Sequence, residues 1–158
     1  MVFVKEAELE TYLRNLIETK ITAQHPYIYA LKNKKAVDIV ICRDGDRPAL
    51  FFLEVKLYQQ THSRLPIGTG KGNGYQPEIV TRNPRYLESN LRWVIVDNRQ
   101  SRPLFLFVPT STVSKYLAGG GVGEKFNNIQ LKIFRDVTSL DEDGLVDALL
   151  NWLLRKGA

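Results

Sequence analysis

Asp38, Glu54 and Lys56 are the residues whose types and spacing could act together chemically. Glu54 and Lys56 are set into LFFLEVKLY, residues 50–58, an apolar run that reads as a β-strand and would ordinarily exclude both charges. Side chains alternate across a strand, so Leu50, Phe52, Glu54 and Lys56 share one face while Phe51, Leu53, Val55 and Leu57 form an apolar second face. The run VDIVIC, residues 37–42, is a second strand, joined to the first by RDGDRP. A symmetric hairpin centred on Asp46 pairs Cys42 with Leu50, Val40 with Phe52, and Asp38 with Glu54. A bulge at Gly45 would shift that register by one residue.

In the symmetric register two carboxylates meet on a mainly apolar surface, with Lys56 one step further along. Opposed like charges destabilise a sheet, so either basic groups or a divalent cation must neutralise them. Paired carboxylates suit a hard, oxygen-seeking ion such as Mg²⁺, which keeps waters and takes its remaining ligands from a phosphate. Such an ion polarises the phosphate and acidifies a water, while a neighbouring lysine orients or deprotonates that water and offsets developing charge. The expected chemistry is phosphodiester hydrolysis. The competing reading is an edge strand whose Glu54 and Lys56 are solvated or form a salt bridge, with Asp38 on the surface. Leu50 and Phe52 on the charged face argue against a plain solvent face.

Asp38 followed by Glu54-Val55-Lys56 after a hairpin resembles the PD-(D/E)XK nuclease superfamily, which includes restriction endonucleases and Holliday-junction resolvases. The likeness covers roughly residues 5–110 in element order and three residues in motif, with Val37 in place of the usual proline. It implies an α/β, restriction-endonuclease-like core, a mixed central β-sheet flanked by helices, and Mg²⁺-dependent cleavage of DNA, with Mn²⁺ able to substitute. Asp38 and Glu54 then take the metal-binding positions and Lys56 that of the family's lysine. Many members add a glutamate from the first helix; here Glu6 and Glu10 lie nearest its apolar face, and Glu10 is preferred because Leu13 and Ile17 follow on the same side. Some branches add a glutamine after the lysine strand, for which Gln76 is best placed. The family analogy also suggests a homodimer that cuts two strands, with the closing helix as an association face.

The surrounding elements must hold this constellation. Leu9, Tyr12, Leu13, Leu16 and Ile17 recur at helical spacing, predicting an amphipathic helix over 5–20. Residues 24–35 read as irregular around His25-Pro26, and 59–75 as a polar, glycine-rich connection. LRWVIVDN and PLFLFVP predict two further strands, and Thr110 or Ser111 caps a short helix that the glycines at 119–121 end. Residues 129–134 read as a last strand, and Ser139 to Glu142 as a capping box for the closing helix. The sum is a single nuclease-like domain over 1–158, a mixed sheet with helices packed on it.

The formal charge of +5 favours a polyanionic partner. Arg64, Arg82, Arg85, Arg92, Arg99 and Arg102 cluster between the active-site strand and the later strands; Arg82 and Arg85 are the candidate DNA-backbone contacts. The loop GTGKGNG, 68–74, fits no phosphate-loop spacing, but its glycines would let Lys71 approach the backbone closely. A lone cysteine, Cys42, excludes an internal disulfide and fits a reducing cytoplasm; it reads as a small buried hydrophobe without a base partner. His25 and His62 lack zinc-like company, and Trp93 and Trp152 read as core. No signal-peptide pattern and no membrane-length apolar run is present, so no membrane partner is expected. The expectation is a Mg²⁺-dependent DNA endonuclease; the alternative is a non-catalytic nucleic-acid-binding module on the same fold.

Overall fold

Alternation and helical periodicity resolve into an α/β architecture in the computed structural model, which describes residues 3–32, 37–59, 65–68, 82–118 and 127–155. The amphipathic helix is α1 (Glu6–Ile17), continued by a π-helical turn at Glu18–Thr22; Leu9, Leu13, Leu16 and Ile17 are its buried stripe. The strands in chain order are β1 (Ile28–Lys32), β2 (Ile39–Arg43), β3 (Ala49–Tyr58), β4 (Leu65–Gly68), β5 (Leu91–Asp97), β6 (Phe105–Val108), β7 (Leu117–Ala118) and β8 (Asn127–Ile129). The remaining helices are α2 (Pro84–Asn90), α3 (Thr110–Lys115), α4 (Ile133–Asp136) and α5 (Glu142–Leu154). A five-stranded mixed sheet runs β1-β2-β3-β5-β6, with β3 and β5 parallel and the other neighbours antiparallel. A parallel pair requires a crossover, and α2 lies in this one. A small three-stranded sheet, β4-β8-β7, accompanies it.

Each face of the main sheet has its own core. Phe51, Leu53, Val55 and Leu57 of β3 pack with α1 and α5 on one side. Phe52 and Tyr58 of β3 pack on the other with Trp93 and Ile95 of β5, Val113 of α3 and Ile133 of α4. Trp93 and Trp152 are both core residues, as their apolar surroundings imply. The hairpin register is the symmetric one: Cys42 pairs with Leu50 and Val40 with Phe52. Gly45 takes a φ of 100° within the turn, and no bulge shifts the pairing. Among the described residues no helix is long and apolar enough to cross a membrane.

Several elements depart from expectation. Residues 28–32 form an edge strand rather than irregular chain, because Ile28 and Ala30 alternate inward against β2. Residues 129–134 are a strand only to Ile129; Ile133 lies four residues on and buries on the same side, so the chain coils into α4. An apolar-polar run this short fits either period. The unassigned α2 carried its signal in Asn83-Pro84: the Asn83 side chain accepts from the backbone N–H of Arg85 and Tyr86 at 3.0 and 3.4 Å, with proline just inside the helix. The closing helix is capped by Asp141, which accepts from Gly144 N–H at 2.8 Å, two residues later than the box centred on Ser139. Pro109, not Thr110 or Ser111, precedes α3, which has no side-chain cap.

The start of the chain is fastened to the C-terminal end of β5. The Asn98 amide is buried; its oxygen accepts from Phe3 N–H at 3.2 Å and its Nδ2 donates to Phe3 O. Removing this side chain orphans buried backbone groups. Asn98→Ala should therefore lower unfolding stability by about 2 kcal/mol, read from urea denaturation; an unchanged midpoint would show that the tie is dispensable.

Candidate active site at the strand fork

β3 is longer than β2, and the site lies where they part. Among the described residues, pairing ends at Ile39 with Leu53, so Val55 and Leu57 have no strand partner on that edge. Their N–H groups still need acceptors. The Asp38 carboxylate accepts from Val55 N–H at 2.7 Å, and the Glu6 carboxylate accepts from Leu57 N–H at 3.3 Å. Two acidic side chains thus take the place of the missing strand. The gap also lets side chains from both faces meet: Glu54 and Lys56 point to the Phe52 face, whereas α1 packs on the other.

Carboxylate oxygens of Glu6, Glu10 and Asp38 lie within 4.8 Å of one another. Lys56 Nζ sits 3.8 Å from Glu6 Oε1 and 3.9 Å from Glu54 Oε1. Glu54 and Lys56 are both buried, and Glu54 Oε2 has no hydrogen-bond partner among the described residues. Asp38 follows the predicted register one residue beyond the last pair; its carboxylate bonds to the β3 backbone, and the trio it joins also holds Glu6 and Glu10 of α1. Glu54 nevertheless feels Asp38 more strongly than any other charge. Both helix glutamates contribute, so the choice between Glu6 and Glu10 dissolves: one helical turn separates them, and they face the same cluster.

Arg14, one turn beyond Glu10, was not anticipated. Its Nη2 is 3.5 Å from Glu10 Oε2 and donates to the Asp38 carbonyl at 3.3 Å, linking α1 to the start of β2. The recurrence of Glu6, Glu10 and Arg14 at four-residue spacing was the available signal. Helix α1 is itself held from the far side, where the Tyr12 hydroxyl donates to Glu142 of α5 and its ring stacks on Phe105 at 5.9 Å.

So many acids packed together, Glu54 buried and the others partly so, resist ionisation. Burial raises Glu6, Glu10 and Asp38 above their ordinary values; Asp38 pushes Glu10 up further, while Lys56 pulls back on Glu6, and the Val55 N–H and Lys56 pull back on Asp38. Glu54 moves from an ordinary 4.5 to about 9, first through burial and then through Asp38, against the pull of Lys56. An all-oxygen donor set with an orphaned buried oxygen fits a hard divalent cation such as Mg²⁺ or Mn²⁺.

Arg82 and Arg85 are exposed at and just before the start of α2, without an ion pair to any described residue. Arg92 does not join them. It is half-buried on the α1–α5 side of the sheet, its guanidinium 5.4 Å from the Trp152 ring and donating to Glu88 O at 2.7 Å. Cys42 is only half-buried. Lys71, Gln76, Arg64 and His62 lie outside the described residues. The chain matches no protein-family model, and no curated protein matches it.

The raised Glu54 pKa fixes the sign of a pH effect. Between about 4.5 and about 9 the folded chain holds a proton that the unfolded chain releases. Stability fully present below that window is lost as pH rises through it. Without divalent ions, the melting temperature should fall across this range in the parent and fall distinctly less in Glu54→Gln; parallel curves would refute the assignment. At pH about 8, Mg²⁺ should raise the parent's melting temperature by several degrees, as a ligand of the folded state alone does. Asp38→Asn should abolish that gain.

Proposed function

We propose that this protein is a Mg²⁺-dependent endonuclease that hydrolyses DNA phosphodiester bonds through a PD-(D/E)XK-type site on a restriction-endonuclease-like core. The observation carrying this reading is the buried Lys56 ammonium held between Glu6 and Glu54, beside Asp38 and Glu10, with Glu54 Oε2 unpartnered. Asp38 and Glu54 would hold the ion, with Glu6 and Glu10 able to complete its oxygen ligands. Bound there, Mg²⁺ or Mn²⁺ supplies Lewis-acid polarisation of the scissile phosphate and acidifies a water.

The side chains do the rest. Lys56, fixed by two carboxylates, presents its ammonium to the attacking water and offsets charge that builds on the phosphate oxygens. Asp38 and Glu6, fastened to β3 by backbone N–H groups, resist displacement when substrate arrives. Arg14 holds Glu10 and the Asp38 main chain in register. Exposed Arg82 and Arg85 offer charge to the sugar–phosphate backbone.

The test is a panel of plasmid, linear duplex, four-way junction, flap and single-stranded DNA, incubated with Mg²⁺, Mn²⁺ or EDTA. Cleavage is expected with either metal and not with EDTA. Lys56→Ala and Asp38→Asn should each reduce the rate by about 10²-fold or more while DNA binding persists. Cleavage surviving both substitutions would sink the site. Metal-independent binding without cleavage under any condition would instead select the non-catalytic nucleic-acid-binding module.

A further inference from the structure

Beyond Lys56 the site face of the sheet ends in a second constructed group. Tyr58 is two residues further along β3, about 7 Å at roughly 3.3 Å per residue. Asp97 of β5 is its register partner. Asp97 shares the face of Trp93 and Ile95 by strand alternation, so Asp97 and Tyr58 stand side by side on the face that carries Glu54 and Lys56. The Asp97 side chain is 9% exposed and, among the described residues, is engaged by Arg99. Its oxygens accept from Arg99 Nε at 2.9 and 3.1 Å, from Nη2 at 2.6 Å and from the Arg99 backbone N–H at 3.0 Å. The guanidinium lies 5.0 Å from the centre of the Tyr58 ring, which rests on Phe134 from its own element α4 at 5.8 Å. The Arg99 side chain nevertheless remains 41% exposed.

This is a costly way to hold a surface arginine for its own sake, since exposed ion pairs contribute little to stability. What it achieves is orientation. Asp97 takes the Nε–Nη2 edge of the fork, leaving Nη1, which bonds no described residue, in a side chain that stays partly open to solvent. A planar guanidinium with its freedom already removed and donors that bond no described residue is suited to a phosphate oxygen. Tyr58, which the guanidinium faces, is offset from Lys56 along the strand by about two nucleotide steps, at roughly 3.4 Å of axial rise per phosphate on one strand.

We propose that Arg99, held by Asp97 and Tyr58, contacts the DNA backbone at a phosphate flanking the one that is cut. The ligand's identity rests on the nuclease reading, but the contact has its own readout. Burial raises the Asp97 carboxyl, and the Arg99 hydrogen bonds outweigh it and hold it below its ordinary value, so the clamp stays charged in neutral solution.

The experiment uses the full chain, a fluorescein-labelled DNA duplex without Mg²⁺, and anisotropy titrations over a salt series. The double variant Asp97→Asn/Arg99→Gln removes one charge of each sign, leaving net charge unchanged and no carboxylate stranded. A phosphate contact predicts that the slope of log affinity against log salt falls in magnitude by about 0.9, equally on unrelated sequences. In cleavage assays KM should rise several-fold with kcat little changed. If the double variant melts early, Arg99→Lys keeps Asp97 paired: the slope should persist while KM rises, and an unchanged KM would overturn the proposal. A slope unmoved in a folded double variant overturns it while leaving the nuclease intact. A parent that binds and cuts nothing refutes both, whereas one that binds with the predicted slope change but never cuts sustains the Arg99 contact and removes only the nuclease reading.

Discussion

The arrangement depends on two backbone N–H groups that have no strand to bond among the described residues. β3 outruns β2 by several residues, and Val55 and Leu57 would expose unpaired donors along a buried edge. Asp38 and Glu6 accept those hydrogen bonds, and in doing so they are delivered to the place where Glu54 and Lys56 emerge. Site and fold are one solution here: the carboxylates that would hold a cation also complete the sheet. Their negative charge is tolerable because Lys56 and Arg14 lie among them and because burial and Asp38 raise Glu54 to about 9, so that it keeps its proton.

That fork makes the site a product of distant parts of the chain. Helix α1 brings Glu6 and Glu10 from one face of the sheet, β3 brings Glu54 and Lys56 from the other, and Asp38 stands at the seam. Helix α1 reaches its position through the Phe3–Asn98 tie at one end and through Tyr12, which is packed on Phe105 and bonded to Glu142. β5 and α5, which contribute no member of the acidic cluster, therefore set its geometry.

Much of this was legible in the residues because period and burial agreed. LFFLEVKLY could only be a strand with a charged face, and the Asp46-centred symmetry predicted the observed register. What the pattern could not reveal was where pairing stops. Extending the ladder one residue beyond Ile39 puts Asp38 opposite Glu54, whereas its carboxylate turns to the β3 main chain, a choice made by the length mismatch of two strands and the position of a helix. The same limit concealed Arg14, whose role depends on the main chain of Asp38, and misassigned Arg92, whose face follows from the parallel pairing of β5. Short elements such as β1 and α4 were missed because four or five residues satisfy either period and tertiary contacts decide between them.

The fork also bears on how the chain keeps to itself. Residues 50–58 contain neither proline nor glycine and are rich in residues that favour strands, the composition that invites edge-to-edge addition of another chain. The free edge of β3 beyond Leu53 would be the template, and it is closed by side chains that no incoming strand can displace without burying their charge. Glu54 and Lys56 interrupt the same run as gatekeepers during synthesis, before the sheet exists. The acids and the lysine that would handle a phosphodiester thus also close this strand's edge, so a chain stripped of these charges would gain a tendency to self-associate.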